Sequence, residues 1–153
     1  MARFRALFGN KAMRNKAADS TALHLELGRK GENAAENYLV ACGYKILARN
    51  RRHSHLELDL VCRDKEYLVF VEVKTRQNAD FGGPEGAITA AKKRRLAKCA
   101  LFWLKEHDAW NIPARFDVVC LTACGKTYHL EHYRNAFDFS PSLGNSHAAW
   151  QPW

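Results

Sequence analysis

Apolar residues between Leu27 and Cys42 fall at helical spacing, with Ala35, Leu39 and Cys42 on one face and Gly43 supplying the stop. Tyr44 to Arg49 then reads as a strand. Leu56 to Arg63 alternates apolar and polar as a second strand, and Asp64-Lys65-Glu66 is a short polar turn into a third, Tyr67 to Lys74. The third strand is apolar on both faces until Glu72, which suits a central, covered position. Gln77 to Pro84 is a glycine-containing loop. A second helix follows from about Glu85 to His107, with Ile88, Leu96, Ala100, Trp103 and Leu104 at helical spacing and Lys92 to Arg95 turned partly outward. Arg115 to Thr122 is a strand, Gly125-Lys126 a turn, and Thr127 to Tyr133 the last strand. Helix, three strands, helix, two strands describes an α/β three-layer core with a mixed sheet.

Charged positions inside those strands carry the chemical information. Alternation puts Leu68, Phe70, Glu72 and Lys74 on one face of the third strand and Val69, Val71 and Val73 on the other. Burying a carboxylate or an ammonium there without a partner costs several kcal/mol, so something has to receive them. On the second strand the same alternation puts Glu57 and Asp59 on one face and Leu58 and Leu60 on the other. If these strands form a hairpin, Asp59 and Glu72 converge near one end. Two close carboxylates repel, and with only oxygen ligands on offer a hard divalent ion such as Mg²⁺ is the expected guest. The plain alternative is a pair of ion pairs on a half-exposed sheet. Glu32 and Glu36, four apart on the first helix, share a face from which either could reach a site at the sheet end.

Composition sets the class. The 153 residues are 47% apolar and 26% charged, enough for one domain with a sizeable core and unlike a disordered chain or a fibre. No apolar run approaches the roughly 18–20 residues that a membrane span needs. Lys and Arg number 24 against 16 acids, a net charge of +8, which points to a polyanionic partner. Residues 1–24 carry +4 of it and read as a basic arm or short helix outside the core. Residues 25–139 hold the domain, and 140–153 read as a tail with Trp150 and Trp153. The odd count of five cysteines, with no secretory apolar segment after the basic start, makes reducing cytoplasm the default expectation.

A set of motifs spans about residues 28–139: Gly31-Glu32 opening the helix, Gly43-Tyr44 after it, and Ala48-Arg49-Asn50-Arg51. It continues with Glu57-Leu58-Asp59-Leu60 and Val69-Phe70-Val71-Glu72-Val73-Lys74-Thr75-Arg76. Phe81-Gly82, Lys92, Leu96, Ala100, Arg115-Phe116-Asp117-Val118 and Asn135-Ala136-Phe137 complete it. Together these resemble the PD-(D/E)xK nuclease superfamily and, more finely, the YraN-type bacterial family, which is similar to archaeal Holliday junction resolvases. The resemblance implies a restriction-endonuclease-like fold and phosphodiester hydrolysis in DNA, by an endonuclease using Mg²⁺ or Mn²⁺. Asp59 and Glu72 match the metal-binding acids, with the backbone carbonyl of Val73, and Lys74 matches the catalytic lysine. Glu32 matches the helix acid, with Glu36 as its alternate. Thr75 and Arg76 fall beside the scissile strand, and Arg49, Arg51, Arg52, Lys92, Lys93, Arg94, Arg95 and Lys98 are candidates to track phosphates. Resolvase-like enzymes act as symmetric dimers, so a homodimer is implied. One departure stands out: Leu56 occupies a position where the family usually has glycine.

Other patterns weigh less. Cys120, Cys124, His129 and His132 have the residue types of a zinc site but poor spacing, since the two histidines would point to opposite strand faces. Trp103 and Trp110 read as core and cap, and His53 and His55 as loop residues near the site. A nucleic-acid-binding module that keeps the fold without turnover, within a repair or uptake complex, stands as the alternative to an enzyme.

Overall fold

A long helix, three strands, a second helix and two strands follow one another in the computed structural model, which describes residues 10–76, 88–125 and 127–138, with side chains from residue 26 onward. The elements are α1 (Asn10–Ala41), β1 (Lys45–His53), β2 (Leu56–Asp64), β3 (Tyr67–Arg76), α2 (Ala90–Glu106), β4 (Ala114–Cys124) and β5 (Thr127–Phe137). The strands make one sheet in the order β1-β2-β3-β4-β5. Only β3 and β4 pair in parallel, joined by the crossover through α2, and the other neighbours are antiparallel. The result is a three-layer α/β arrangement consistent with a restriction-endonuclease-like core. Among the described residues, no helix is long and apolar enough to cross a membrane.

The strand face patterning works as the alternation of β3 requires. Leu68 and Phe70 join Leu96, Ala100, Trp103 and Leu104 of α2 in one core, while Val69 and Val71 join Ala35 and Leu39 of α1 in the other. Each fully buried Leu or Phe stabilises by roughly 1.5–3 kcal/mol. In β2 the simple alternation fails. Leu58 packs beneath α2 but Leu60 packs beneath α1, so the strand changes faces at Asp59. The β1–β2 register places Asn50, held at φ +46°, opposite this point, and the β2–β3 ladder stops at Leu60↔Val71.

Several boundaries differ from the sequence reading. β1 runs past Arg49 to His53, which is a strand residue and not a loop residue, and β5 runs past Tyr133 to Phe137. The first helix starts earlier than expected and the second later. The first helix starts at Asn10, not Leu27, so the segment read as an arm is largely continuous with it. Its Ala, Lys, Arg, Met and Leu content favours helix propagation even without a regular apolar stripe. The second helix begins at Ala90, where Thr89 caps it by accepting a hydrogen bond from the Lys92 N–H at 3.2 Å. The loop after Arg76, with Phe81-Gly82, and the tail from residue 140 lie outside the described residues.

On the α1 face a buried polar network ties β4 to its neighbours. Asp117, fully buried, accepts from Arg115 Nε at 2.9 Å, from His132 Nε2 at 3.0 Å and from the Asn135 N–H at 2.9 Å. Arg115 reaches on to the Tyr44 hydroxyl at 2.9 Å and Asp64 at 2.8 Å. Two β4 steps from Phe116 to Val118 face four on β5, from Phe137 to Tyr133, and this bulge turns Asn135 (φ +49°) toward the carboxylate. Burial pushes the Asp117 carboxyl up, but the bonds from His132, Arg115 and Asn135 outweigh it and hold it below the ordinary range. Asp117→Ala is expected to cost about 3–5 kcal/mol in urea unfolding, because it removes at once the buried acceptor shared by Arg115, His132 and the Asn135 N–H. Arg134→Ala, which removes only the exposed partner of Asp64, should cost about 1 kcal/mol or less in the same measurement.

Candidate active site

Glu72 leaves β3 on the face covered by α2 and is only 3% exposed. Its Oε1 lies 3.0 Å from Lys74 Nζ and 3.0 Å from Lys92 Nζ, while its Oε2 is buried with no hydrogen-bond partner. Lys74 comes from the same strand face two residues on, as alternation predicts. Lys92 comes from the first turn of α2, positioned by the Thr89 cap. Two ammonium groups thus share one carboxylate oxygen and leave the other unsatisfied.

Asp59 stands at the point where β2 changes faces. Its Oδ2 accepts the Val73 N–H at 2.8 Å, so the carboxylate takes a backbone donor that the ended β2–β3 ladder no longer uses. Burial, followed by the nearby Glu72 charge, raises its carboxyl to about 7. The Val73 N–H and Lys92 oppose the rise, and Glu32 adds to it. The Asp59 carboxyl thus responds to Glu72 of β3 and to charges from both α1 and α2.

The two helix acids separate clearly. Glu36 forms an ion pair with Arg49 of β1. Glu32 is the one whose charge acts on Asp59, although among the described residues no group of three or more His, Cys, Asp or Glu side chains is close enough to hold a metal. The pair of carboxylates, not a trio, is what the fold assembles. Gly31 explains how α1 comes so near: a Cβ there would lie 1.9 Å from Thr75 Oγ1. The Gly-Glu motif is thus a close helix–strand approach followed at once by the acid that the approach brings in.

The expected basic track is largely occupied. Arg49 is committed to Glu36 and Arg51 to Glu106 at 2.7 Å, Arg95 donates to the His55 carbonyl at 2.8 Å, and Lys93 lies over the Phe137 ring. Thr75 faces Gly31 instead of open solvent, and Arg76 sits opposite Thr122 at the end of the parallel ladder. Lys92, read from sequence as a phosphate contact, is part of the carboxylate site. Nothing in its spacing from Glu72 could have revealed this, since the crossover between them sets the distance. The zinc set does not form, because His132 is bonded to Asp117 and Cys120 is buried in the α2-side core. Leu56 is likewise buried there, and the strained position in that turn is Ser54 at φ +56°. Trp103 is core as expected, but Trp110 is 43% exposed and caps nothing.

A five-stranded mixed sheet between two helices makes this an α/β protein consistent with the restriction-endonuclease-like class. Residues 31–121 match the profile of Uncharacterised protein family UPF0102, and the chain belongs to that family, which falls within the PD-(D/E)xK-like nuclease superfamily. It is 45% identical over 126 residues to a UPF0102 protein of Nitratidesulfovibrio vulgaris (strain DP4), covering 82% of this chain and 94% of the relative. A UPF0102 protein of Lawsonia intracellularis is 41% identical over 128 residues, 84% of this chain and 97% of the relative. One from Geobacter metallireducens is 45% identical over 114 residues, 74% of this chain and 93% of the relative.

Two predictions follow from the geometry. With Asp59 raised from about 4 in the unfolded chain to about 7, the folded state binds the extra proton between those values. Stability that this group contributes in acid is therefore lost as pH rises from about 4 to 7. In EDTA, Asp59→Asn should flatten that fall and stabilise the protein near pH 8 by on the order of 2–4 kcal/mol, read from unfolding curves across pH 5–8. Separately, Gly31→Ala should destabilise by about 1–3 kcal/mol through the clash with Thr75. Gly28→Ala, where a Cβ meets nothing within 4 Å, should stabilise by about 0.5–1 kcal/mol.

Proposed function

We propose that the protein is a Mg²⁺- or Mn²⁺-dependent endonuclease acting on DNA. The observation that carries this is the buried, unpartnered Glu72 Oε2, together with an Asp59 carboxyl raised first by its burial and then by Glu72's charge. A carboxylate oxygen kept dry and unbonded is costly unless a cation receives it. The donor set fits such an ion: Asp59, Glu72 and the Val73 carbonyl are hard oxygens, and Mg²⁺ is commonly held by one or two carboxylates with water and substrate phosphate supplying the rest. When bound, the cation would polarise the scissile phosphate and lower the pKa of a water.

The chain's own residues then have distinct tasks. Val73 N–H holds Asp59 in orientation. Glu32 adds negative charge from α1. Lys74 and Lys92, no longer needed to neutralise Glu72, would offset charge on the phosphate and orient the attacking water, acting where charge develops. DNA is favoured over RNA, and a symmetric dimer and a cytoplasmic setting belong to the same reading. The five cysteines are free thiols, as a reducing compartment allows.

A second reading has its own support. Lys74 and Lys92 already neutralise Glu72 without any metal, which a binding module lacking turnover would also require. Cleavage of a labelled panel of single strand, duplex, flap, four-way junction and RNA, with Mg²⁺ or Mn²⁺, separates the two. Hydrolysis that needs the cation and falls at least about a hundredfold in both Asp59→Ala and Lys74→Ala is the expected result. Absence of metal-dependent cutting, together with calorimetric Mn²⁺ binding unchanged by Asp59→Ala, would leave the binding module.

A further inference from the structure

Beside the carboxylate site, the β1–β2 turn and the C-terminal half of α2 enclose a cavity of about 540 Å³. Its walls combine rings and cations: His53, Phe102 and Trp110 with Lys98 and Lys105. His53 and Phe102 are stacked, with centroids 3.7 Å apart and planes 18° from parallel, so one ring braces the other. Phe102 and Trp110 remain 40% and 43% exposed, large apolar area for residues with no role in either core. Glu106, the nearest acid on α2, is taken by Arg51, and among the described residues neither Lys98 nor Lys105 makes an ion pair. The cavity is therefore apolar on its floor and cationic at its rim.

We propose that this cavity takes an unpaired nucleotide of a nucleic-acid strand, its base stacked against Trp110 and Phe102 and its flanking phosphates on Lys98 and Lys105. Every base offers a ring face to an aromatic platform, while a stacked duplex offers none without opening, so aromatic rings rimmed by lysines favour single strands. Position supports the same occupant. Leu56 lines the cavity and Asp59 lies three residues along β2, about 10 Å away at the rise of a strand. Along α2, Lys92 at the carboxylates, then Arg95, then Lys98 at the rim follow at intervals of three, so the helix rises about 9 Å from the first to the last. A short run of strand backbone bridges that separation. The inference deepens the proposed function by naming the state of the strand, and rests on it only for the class of polymer.

The test is fluorescence anisotropy of the full chain with labelled oligothymidylate and with blunt duplex, in EDTA so that nothing is cut. Trp110→Ala and Phe102→Ala should each weaken single-strand binding by about five- to a hundredfold, with Trp110→Phe close to wild type and duplex binding unchanged. Lys98→Gln and Lys105→Gln should each lower the slope of log affinity against log salt by about 0.7. Equal losses on single strand and duplex, unchanged single-strand affinity, or no single-strand binding by the wild type would each overturn the proposal. So would a dimer that Trp110→Ala dissociates without touching single-strand affinity, since a second copy would then be the occupant. Binding in EDTA does not require the cation that cleavage needs. Failure of the nuclease reading therefore appears only in the cleavage panel, and failure of the pocket only here.

Discussion

A carboxylate in the middle of a strand covered on both faces has to be compensated, and the placement of Glu72 organises much of this molecule. β3 is apolar along its first half and buried from Leu68 to Glu72. Glu72 survives there because Lys74 follows on the same face and α2 starts close enough to bring Lys92. That requirement fixes where the crossover must end, which explains why the capped start of α2, rather than its middle, lies over the sheet end. The compensation is incomplete at Oε2, and the incompleteness is local to one oxygen. A stability-driven arrangement would fill it with a donor; a site for a hard cation leaves it open.

A second charged centre lies on the opposite side of the same sheet. Asp117 pairs with Val71 across the parallel ladder, one step from the Glu72↔Val118 pair, so adjacent ladder steps send carboxylates to opposite faces. Their environments differ in kind. Asp117 has every approach filled by Arg115, His132, Tyr44 and the Asn135 N–H, and its carboxyl is held below the ordinary range. Asp59, near Glu72, is pushed the other way. The satisfied carboxylate pins β5 and the start of β1 to β4, whereas Glu72 keeps one buried oxygen without a donor. Burial alone distinguishes neither; the supply of donors does.

The face switch in β2 sets which residues each helix covers. Before Asp59, Leu56 and Leu58 pack beneath α2 and Leu56 borders the aromatic cavity; after it Leu60 and Cys62 pack beneath α1 and Val61 takes the α2 side. Only at such a break can one side chain respond to charges on both helices, as Asp59 does to Glu32 and Lys92. Gly31 then sets how near α1 approaches, through its contact with Thr75.

Much of this was legible from the chain alone. Period-two alternation in Tyr67–Lys74 determines that Glu72 and Lys74 share a face with Phe70, and helical spacing determines the apolar side of α2, because both depend only on backbone geometry within one element. The motif resemblance marks Asp59, Glu72 and Lys74 as residues to expect together. Tertiary structure decided what crosses between elements: Lys92 as the second partner of Glu72, Glu36 paired with Arg49, Trp110 exposed, and the Asp117 network spanning Tyr44 to Asn135. Local pattern states which way a side chain points from its own strand or helix. Which groups it meets depends on the crossover, the register shifts between Ile46 and Ala48 and at Asn135, and the close approach at Gly31, and those come from the packing of the whole chain.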